Sequence, residues 1–261
     1  MHLPNSALCP RFWLWFALAV GAPCFGEEAS LRIRADSWMP FNGDPAAKQP
    51  GYVVEFLREV FEPQGIKVDY QIMPWAAAVK AAEAGEIDGI IGANKKEAAN
   101  LVIGTTSIAE PQFSLFVRKE STWKYESLRS LQGVRLGAIE GYSYWGSLDG
   151  YIQKSAPPAL KLYSGETPLA EAMNDLVAGQ IDVMPESVLV FVWAAKNSGR
   201  KFSDFRIAYS ETAEPLFVAF SKNDQGKKYA RLFDLGLRKL KESGRFDAIL
   251  ASYGFAKRPA E

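Results

Sequence analysis

Only two cysteines and one histidine occur in 261 residues, and all three, His2, Cys9 and Cys24, fall within the first 26. That end of the chain has a distinct layout. Arg11 precedes an apolar run of 11 residues, Phe12 to Ala22, which leads into Pro23-Cys24-Phe25-Gly26 and then Glu27-Glu28. The run is well short of the roughly 18 residues needed to cross a bilayer, and a basic residue, a short apolar stretch and small residues in that order form a cleavable export signal. Residues 1–26 are therefore expected to be removed before Glu27, leaving a periplasmic protein. Pro23 directly before Cys24 fits poorly with a lipid-modification signal, so anchoring through Cys24 is not expected.

Beyond Gly26 the chain has no cysteine and no histidine. This excludes disulfides, a thiolate nucleophile, a Ser-His-Asp triad and the usual zinc sites, and no cofactor or metal is expected. A charge excess is also missing. With 30 basic and 30 acidic residues overall, there is no electrostatic case for nucleic acid or an anionic membrane as partner. What remains is a chain with 48% hydrophobic residues, long enough for one or two good cores that must stabilise it unaided.

Its periodicities alternate between short strands and amphipathic helices, which predicts α/β layers. Leu31 to Ala35 alternates as a strand, and Val53, Phe56, Leu57, Val60 and Phe61 make one helix face stopped by Pro63 and Gly65. A strand at Lys67 to Ile72, a helix at Trp75 to Ala84 and a buried strand at Ile87 to Ile91 complete two crossover units. Such units build a mostly parallel sheet. The segment Glu83-Ala84-Gly85-Glu86-Ile87-Asp88 returns 94 residues later as Val177-Ala178-Gly179-Gln180-Ile181-Asp182, which suggests two similar lobes. The second α/β set comprises Val134 to Ile139, a turn at Gly141, a helix near Leu169 to Ala178 and a strand at Ile181 to Met184. It lies between predicted strands at Phe113 to Val117 and Pro215 to Phe220. Tyr229, Leu232, Phe233, Leu237 and Leu240 line a later helix, and a short one follows Gly244. The expected division is residues 27–112 plus 216–261 for lobe 1 and 113–215 for lobe 2, with two crossing strands as hinge.

Ala35-Asp36-Ser37-Trp38-Met39-Pro40-Phe41, Gly51-Tyr52-Val53-Val54-Glu55-Phe56 and Gly85-Glu86-Ile87-Asp88-Gly89-Ile90-Ile91 together resemble the first lobe of the family 3 extracellular solute-binding proteins. Ser127-Leu128 through Gly137, Gly141-Tyr142-Ser143 and the ending Leu240 to Ile249 are similar to that family's second lobe and C-terminal helices. The resemblance spans residues 30 to 255. It implies a two-lobed periplasmic binding protein of type II, monomeric, closing on a small-molecule ligand by hinge motion and delivering it to an ABC transporter permease.

The resemblance also distributes roles. Asp36, Trp38 and Phe41 fall in the first ligand loop, and Trp75 stands 13 residues before Asp88, at the spacing of the family's opposing aromatic. Tyr142, Ser143 and Tyr144 would supply the second lobe's wall. Family members grip an amino-acid carboxylate with an arginine beyond the strand ending at Gly92, but here the stretch is Ala93-Asn94-Lys95-Lys96-Glu97-Ala98-Ala99-Asn100. Asn94, Lys95 and Lys96 are the candidates that remain, although a solvated lysine pair is the plainer reading. The family's ammonium-binding acid falls at Ser187, with Glu186 beside it as the carboxylate for a cationic group. An α-amino acid held in the usual way is thereby in doubt. A small polar solute, amino-acid-like or an amine or carboxylate, is expected. A periplasmic sensor or adaptor for a membrane partner shares every one of these features. A dehydratase on the same scaffold, with Glu186 as acid, is the enzymatic alternative; no enzyme is expected.

Overall fold

The computed structural model describes residues 1–2, 29–212 and 214–255. Residues 3–26 of the expected export signal, with Cys9 and Cys24, lie outside them. The elements in order are β1 (Ala29–Ala35), α1 (Tyr52–Phe61), β2 (Ile66–Ile72), α2 (Trp75–Ala84), β3 (Gly89–Ala93), β4 (Val102–Ile103), β5 (Gln112–Arg118), β6 (Leu136–Ile139), α3 (Gly146–Ile152), β7 (Leu160–Tyr163), α4 (Pro168–Val177), β8 (Met184–Ser187), α5 (Val188–Asn197), β9 (Phe205–Thr212), β10 (Phe217–Phe220), α6 (Asp224–Glu242) and α7 (Arg245–Ser252).

The first elements follow their sequence patterns. β1 buries Leu31, Ile33 and Ala35 and exposes Ser30 and Arg32. The Val53-Phe56-Leu57-Val60-Phe61 stripe of α1 is wholly buried, and a 3-10 turn at Glu62–Gln64 ends that helix at Gly65. The last two helices return to the first lobe, where Phe246 stacks on Phe56 at 4.6 Å and Phe233 lies parallel to Phe61 at 6.4 Å.

The first lobe is a five-stranded sheet in the order β2-β1-β3-β10-β4, parallel through β2, β1 and β3, with β10 antiparallel to both its neighbours. In the second lobe β8-β5-β9 is antiparallel and β6-β7 parallel, and a parallel bridge from Leu136 to Val183 ties β6 to the residues entering β8. The resulting order, β7-β6-β8-β5-β9, reproduces that of the first lobe. One chemical detail repeats with it. The Arg32 backbone N–H and Nε both donate to Asp88 Oδ2 (2.7 and 3.0 Å) while Nη2 reaches Oδ1 (3.0 Å). Arg135 makes the same three bonds to Asp182 at 2.9, 2.9 and 2.8 Å. The sequence repeat around Asp88 and Asp182 is thus a structural repeat.

These clasps also explain a displacement. The strands predicted at Ile87 to Ile91 and Ile181 to Met184 begin at Gly89 and Met184 instead, because Asp88 and Asp182 are held in the clasps, their N–H groups donating to the Arg32 and Arg135 carbonyls (2.9 and 2.8 Å). Two strands cross between the lobes. There the Ile108 N–H donates to the Leu216 carbonyl (2.8 Å) and the Leu216 N–H to the Ala109 carbonyl (2.9 Å). Among the described residues no helix is long and apolar enough to cross a membrane.

Candidate functional site

The carboxyl ends of strands from both lobes point at one another, the crevice where open α/β sheets place ligands. Asp36 and Trp38 follow β1, Trp75 opens α2 after β2, Gly92 lies near the end of β3, and Tyr142 and Ser143 follow β6. All six line one small cavity of about 30 Å3, room for a couple of water molecules. Ile91, Glu97, Phe113 and Leu216 complete its wall.

The lobes are closed on each other by the chain's own polar groups. The Tyr142 hydroxyl donates to Asp36 Oδ2 (2.5 Å), Trp75 Nε1 to the Gly141 carbonyl (3.2 Å) and Trp38 Nε1 to Glu186 Oε1 (3.0 Å). The Ser143 N–H donates to Glu97 Oε1 (3.0 Å), and Lys96 Nζ pairs with Asp149 Oδ2 (3.0 Å). Each bond joins a first-lobe residue to a second-lobe one. Gly141 has to be glycine here. Its φ is +81°, and an added Cβ would sit 3.2 Å from Ala76 Cβ and 3.4 Å from Trp75 Cδ1.

Burial sets the electrostatics. Glu186 is 0% exposed; loss of hydration pushes its carboxyl up to about 8, against which the Ser187 N–H (2.7 Å) and Trp38 Nε1 only partly compensate. Burial likewise raises Glu97 to about 7, despite N–H groups from Asn94 and Ser143, and Asp36 to about 6, despite Tyr142. Glu186 Oε2 and Ser187 Oγ are buried without a hydrogen-bond partner.

The other sequence candidates stand around this wall rather than on it. Phe41 stacks on Trp38 at 4.3 Å and is 1% exposed, so it braces that ring from behind. The Tyr144 hydroxyl accepts the Ile139 N–H (2.9 Å), and its ring packs edge-on against Phe113 within the core. Asn94 caps a turn, its Oδ1 accepting the N–H groups of Lys96 and Glu97 (both 2.9 Å). Lys95 is exposed, and Lys96, its side chain 61% exposed, is taken by Asp149 at the rim. Glu186 and Ser187 end β8 behind Trp38. Glu97 is the polar wall residue to which the sequence reading assigns no role. Its position three residues after Asn94 is a capping-box signal, and Oε2 does accept the Asn94 N–H (3.0 Å). That local role accounts for one oxygen; the other crosses the cleft.

The profile of the bacterial extracellular solute-binding proteins, family 3, matches residues 31–256, and the chain belongs to that family. Among solved structures it is similar to a substrate-binding protein of an ABC uptake transporter from Streptococcus pneumoniae with bound histidine (TM-score 0.73, 19% identity, 89% of this chain and 95% of that one). It also resembles an ancestral arginine-binding protein bound to arginine (TM-score 0.71, 19% identity, 86% and 98% covered). A histidine kinase sensor domain is similar as well (TM-score 0.69, 21% identity, 86% and 95% covered). At these identities the likeness establishes the type II periplasmic binding fold. No curated protein matches the chain.

Proposed function

We propose that this chain is a periplasmic solute receptor for an ABC importer, which captures a small polar solute between its lobes and is not an enzyme. The observation that carries the reading is the cluster at the strand ends: Asp36, Trp38 and Trp75 from one lobe and Tyr142 and Ser143 from the other converge on a single cavity. A site divided in this way makes its full set of contacts only when the lobes are together, so a solute touching both halves favours closure by its differential affinity. Aromatic faces supply contact area and the few fixed polar groups supply orientation. Within this reading the lobes are residues 27–112 with 216–261 and residues 113–215, a division supported by the membership of the two sheets and by the paired crossings at Ala109 and Leu216. Residues 1–26 are the export signal, and the mature protein acts as a monomer.

A thermal-shift screen tests the proposal. The purified protein is heated with amino acids, amines and small carboxylates in turn. A solute present at 100 times its dissociation constant stabilises by about 2.7 kcal/mol, a rise in Tm of about 5 to 10 °C for a chain of this size. No shift with any class of solute contradicts the proposal.

The similarity to a histidine kinase sensor domain favours a second reading, in which the same closure reports to a membrane partner rather than loading a permease. Co-purification of the solute-bound protein from crosslinked membranes separates the two, recovering either permease subunits or a signalling protein.

A further inference from the structure

The cleft is built unevenly with respect to charge. Of the residues that line its cavity, two are carboxylic acids, Asp36 and Glu97, and none is a lysine or arginine. A third acid, Glu186, lies directly behind Trp38, near enough for the Asp36 charge to act on it. Lys96, its side chain largely exposed, is neutralised by Asp149 at the rim.

Hydrogen-bond accounting points the same way. The donors that reach across the cleft, Trp38 Nε1, Trp75 Nε1, the Tyr142 hydroxyl and the Ser143 N–H, all end on acceptors of the chain itself. What is left over near Trp38 is a carboxyl oxygen, Glu186 Oε2, and the Ser187 hydroxyl, both buried without a partner. A ligand carboxylate that displaced Glu97 from the Ser143 N–H would add one more anion to three acids in a region of low dielectric, with no cation to offset it. A ligand bearing positively charged N–H groups meets the opposite situation. It brings N–H groups to the Asp36 and Glu97 carboxyls on the wall, where Trp38, Trp75 and Tyr142 supply aromatic rings for its charge.

We propose that the solute is a small organic cation lacking a carboxylate, an amine or guanidine, held by the Asp36 and Glu97 carboxyls of the cavity wall between the Trp38, Trp75 and Tyr142 rings, with Glu186, bonded to Trp38, adding its charge from outside the wall. This rests on the solute-receptor reading and narrows it to one chemical class. Burial already raises all three carboxyls towards neutrality, so the arriving cation restores their ionisation and releases protons.

Calorimetric titration with matched pairs tests this, because each pair differs by a carboxylate: agmatine against arginine, cadaverine against lysine, putrescine against ornithine. At least one carboxylate-free member binds, at least tenfold tighter than its partner. Glu186→Gln, which keeps the Trp38 and Ser187 bonds but removes the charge, weakens that ligand at least tenfold; Glu97→Gln repeats the test should the first variant not fold. Binding of the carboxylate-bearing partners with equal or greater affinity overturns the proposal, as does failure of all three cations. If other amino acids, sugars or small acids bind instead, the solute-receptor reading stands and only the cation class falls. If no solute of any class binds, both fall.

Discussion

Glu186 carries the sharpest consequence at the scale of a single residue. Its carboxyl rises from the ordinary range near 4.5 to about 8 in the folded protein because it is stripped of water. A folded-state value above the unfolded one means that the native protein binds the extra proton. That contribution to stability is fully present below pH 4.5 and is lost as pH rises through about 8. The Ser187 N–H and Trp38 Nε1 offset part of the rise, and the titratable groups facing Glu186 do not oppose it. Asp36 raises it further, while Tyr142 and Tyr144 are themselves pushed well up by burial and stay neutral across the range. Glu97 and Asp36, raised to about 7 and about 6, act with the same sign. The carboxyls that are lowered instead, Asp69, Asp175 and Asp182, are held down by Arg34, Lys161 and Arg135 and act at pH values below the usual aspartate range. Without solute, the urea midpoint is therefore expected to fall between pH 5 and pH 8, each fully coupled group contributing up to about 1.4 kcal/mol per pH unit. Glu186→Gln flattens that slope. A parent protein whose stability rises over the same range contradicts the assignment.

Residue-level legibility in the sequence was uneven for a physical reason. Trp38 and Trp75 announce themselves because large aromatics at strand ends stand out against polar neighbours. Ile91, Phe113 and Leu216 read as core since a strand residue facing a cleft has the same composition as one facing a helix. Glu97 was hidden by its second role as half of a cap.

Among the elements, the glycine turn after β6 is the most demanding piece of backbone in the cleft. Gly141 needs a positive φ and also a bare α-carbon where Ala76 and Trp75 of α2 press against it. Gly133 has a similar φ of +77° with nothing within 4 Å of an added Cβ, so it isolates the backbone effect. Gly133→Ala and Gly141→Ala should each lose about 1–2 kcal/mol from the left-handed conformation. Only Gly141→Ala should also weaken solute binding, by about tenfold, because its methyl group pushes α2 away from the second lobe. Urea unfolding together with calorimetry reads both quantities; equal affinities in the two variants would place Gly141 outside the closing surface.

Elements with a clean period were the legible ones. The α1 and α6 stripes and the β1 alternation lie where hydrophobic spacing puts them. α5 was not, since Val188-Leu189-Val190-Phe191-Val192-Trp193 is apolar on every side and carries no stripe to recognise. β7 and β9 are half-exposed strands with weak alternation, and β4 is only two residues long.

For the molecule as a whole, duplication made the architecture readable. A six-residue echo around Asp88 and Asp182 marks the same arginine clasp in both lobes, and the strand order repeats around it. How the two halves face each other was not legible, because it depends on bonds between residues 40 to 150 positions apart, such as Trp38 to Glu186 and Tyr142 to Asp36. Those bonds bring both lobes to one cavity, which supports the proposal that one solute is held by both at once.

Hydrogen exchange read by mass spectrometry tests that claim most directly, with and without the solute that raises Tm most in the thermal screen. Added protection is expected in both lobes together, in the segments around residues 36–41, 75–78 and 92–97 on one side and 139–145 and 184–187 on the other. Protection confined to one lobe, or lying away from these strand ends, would contradict it.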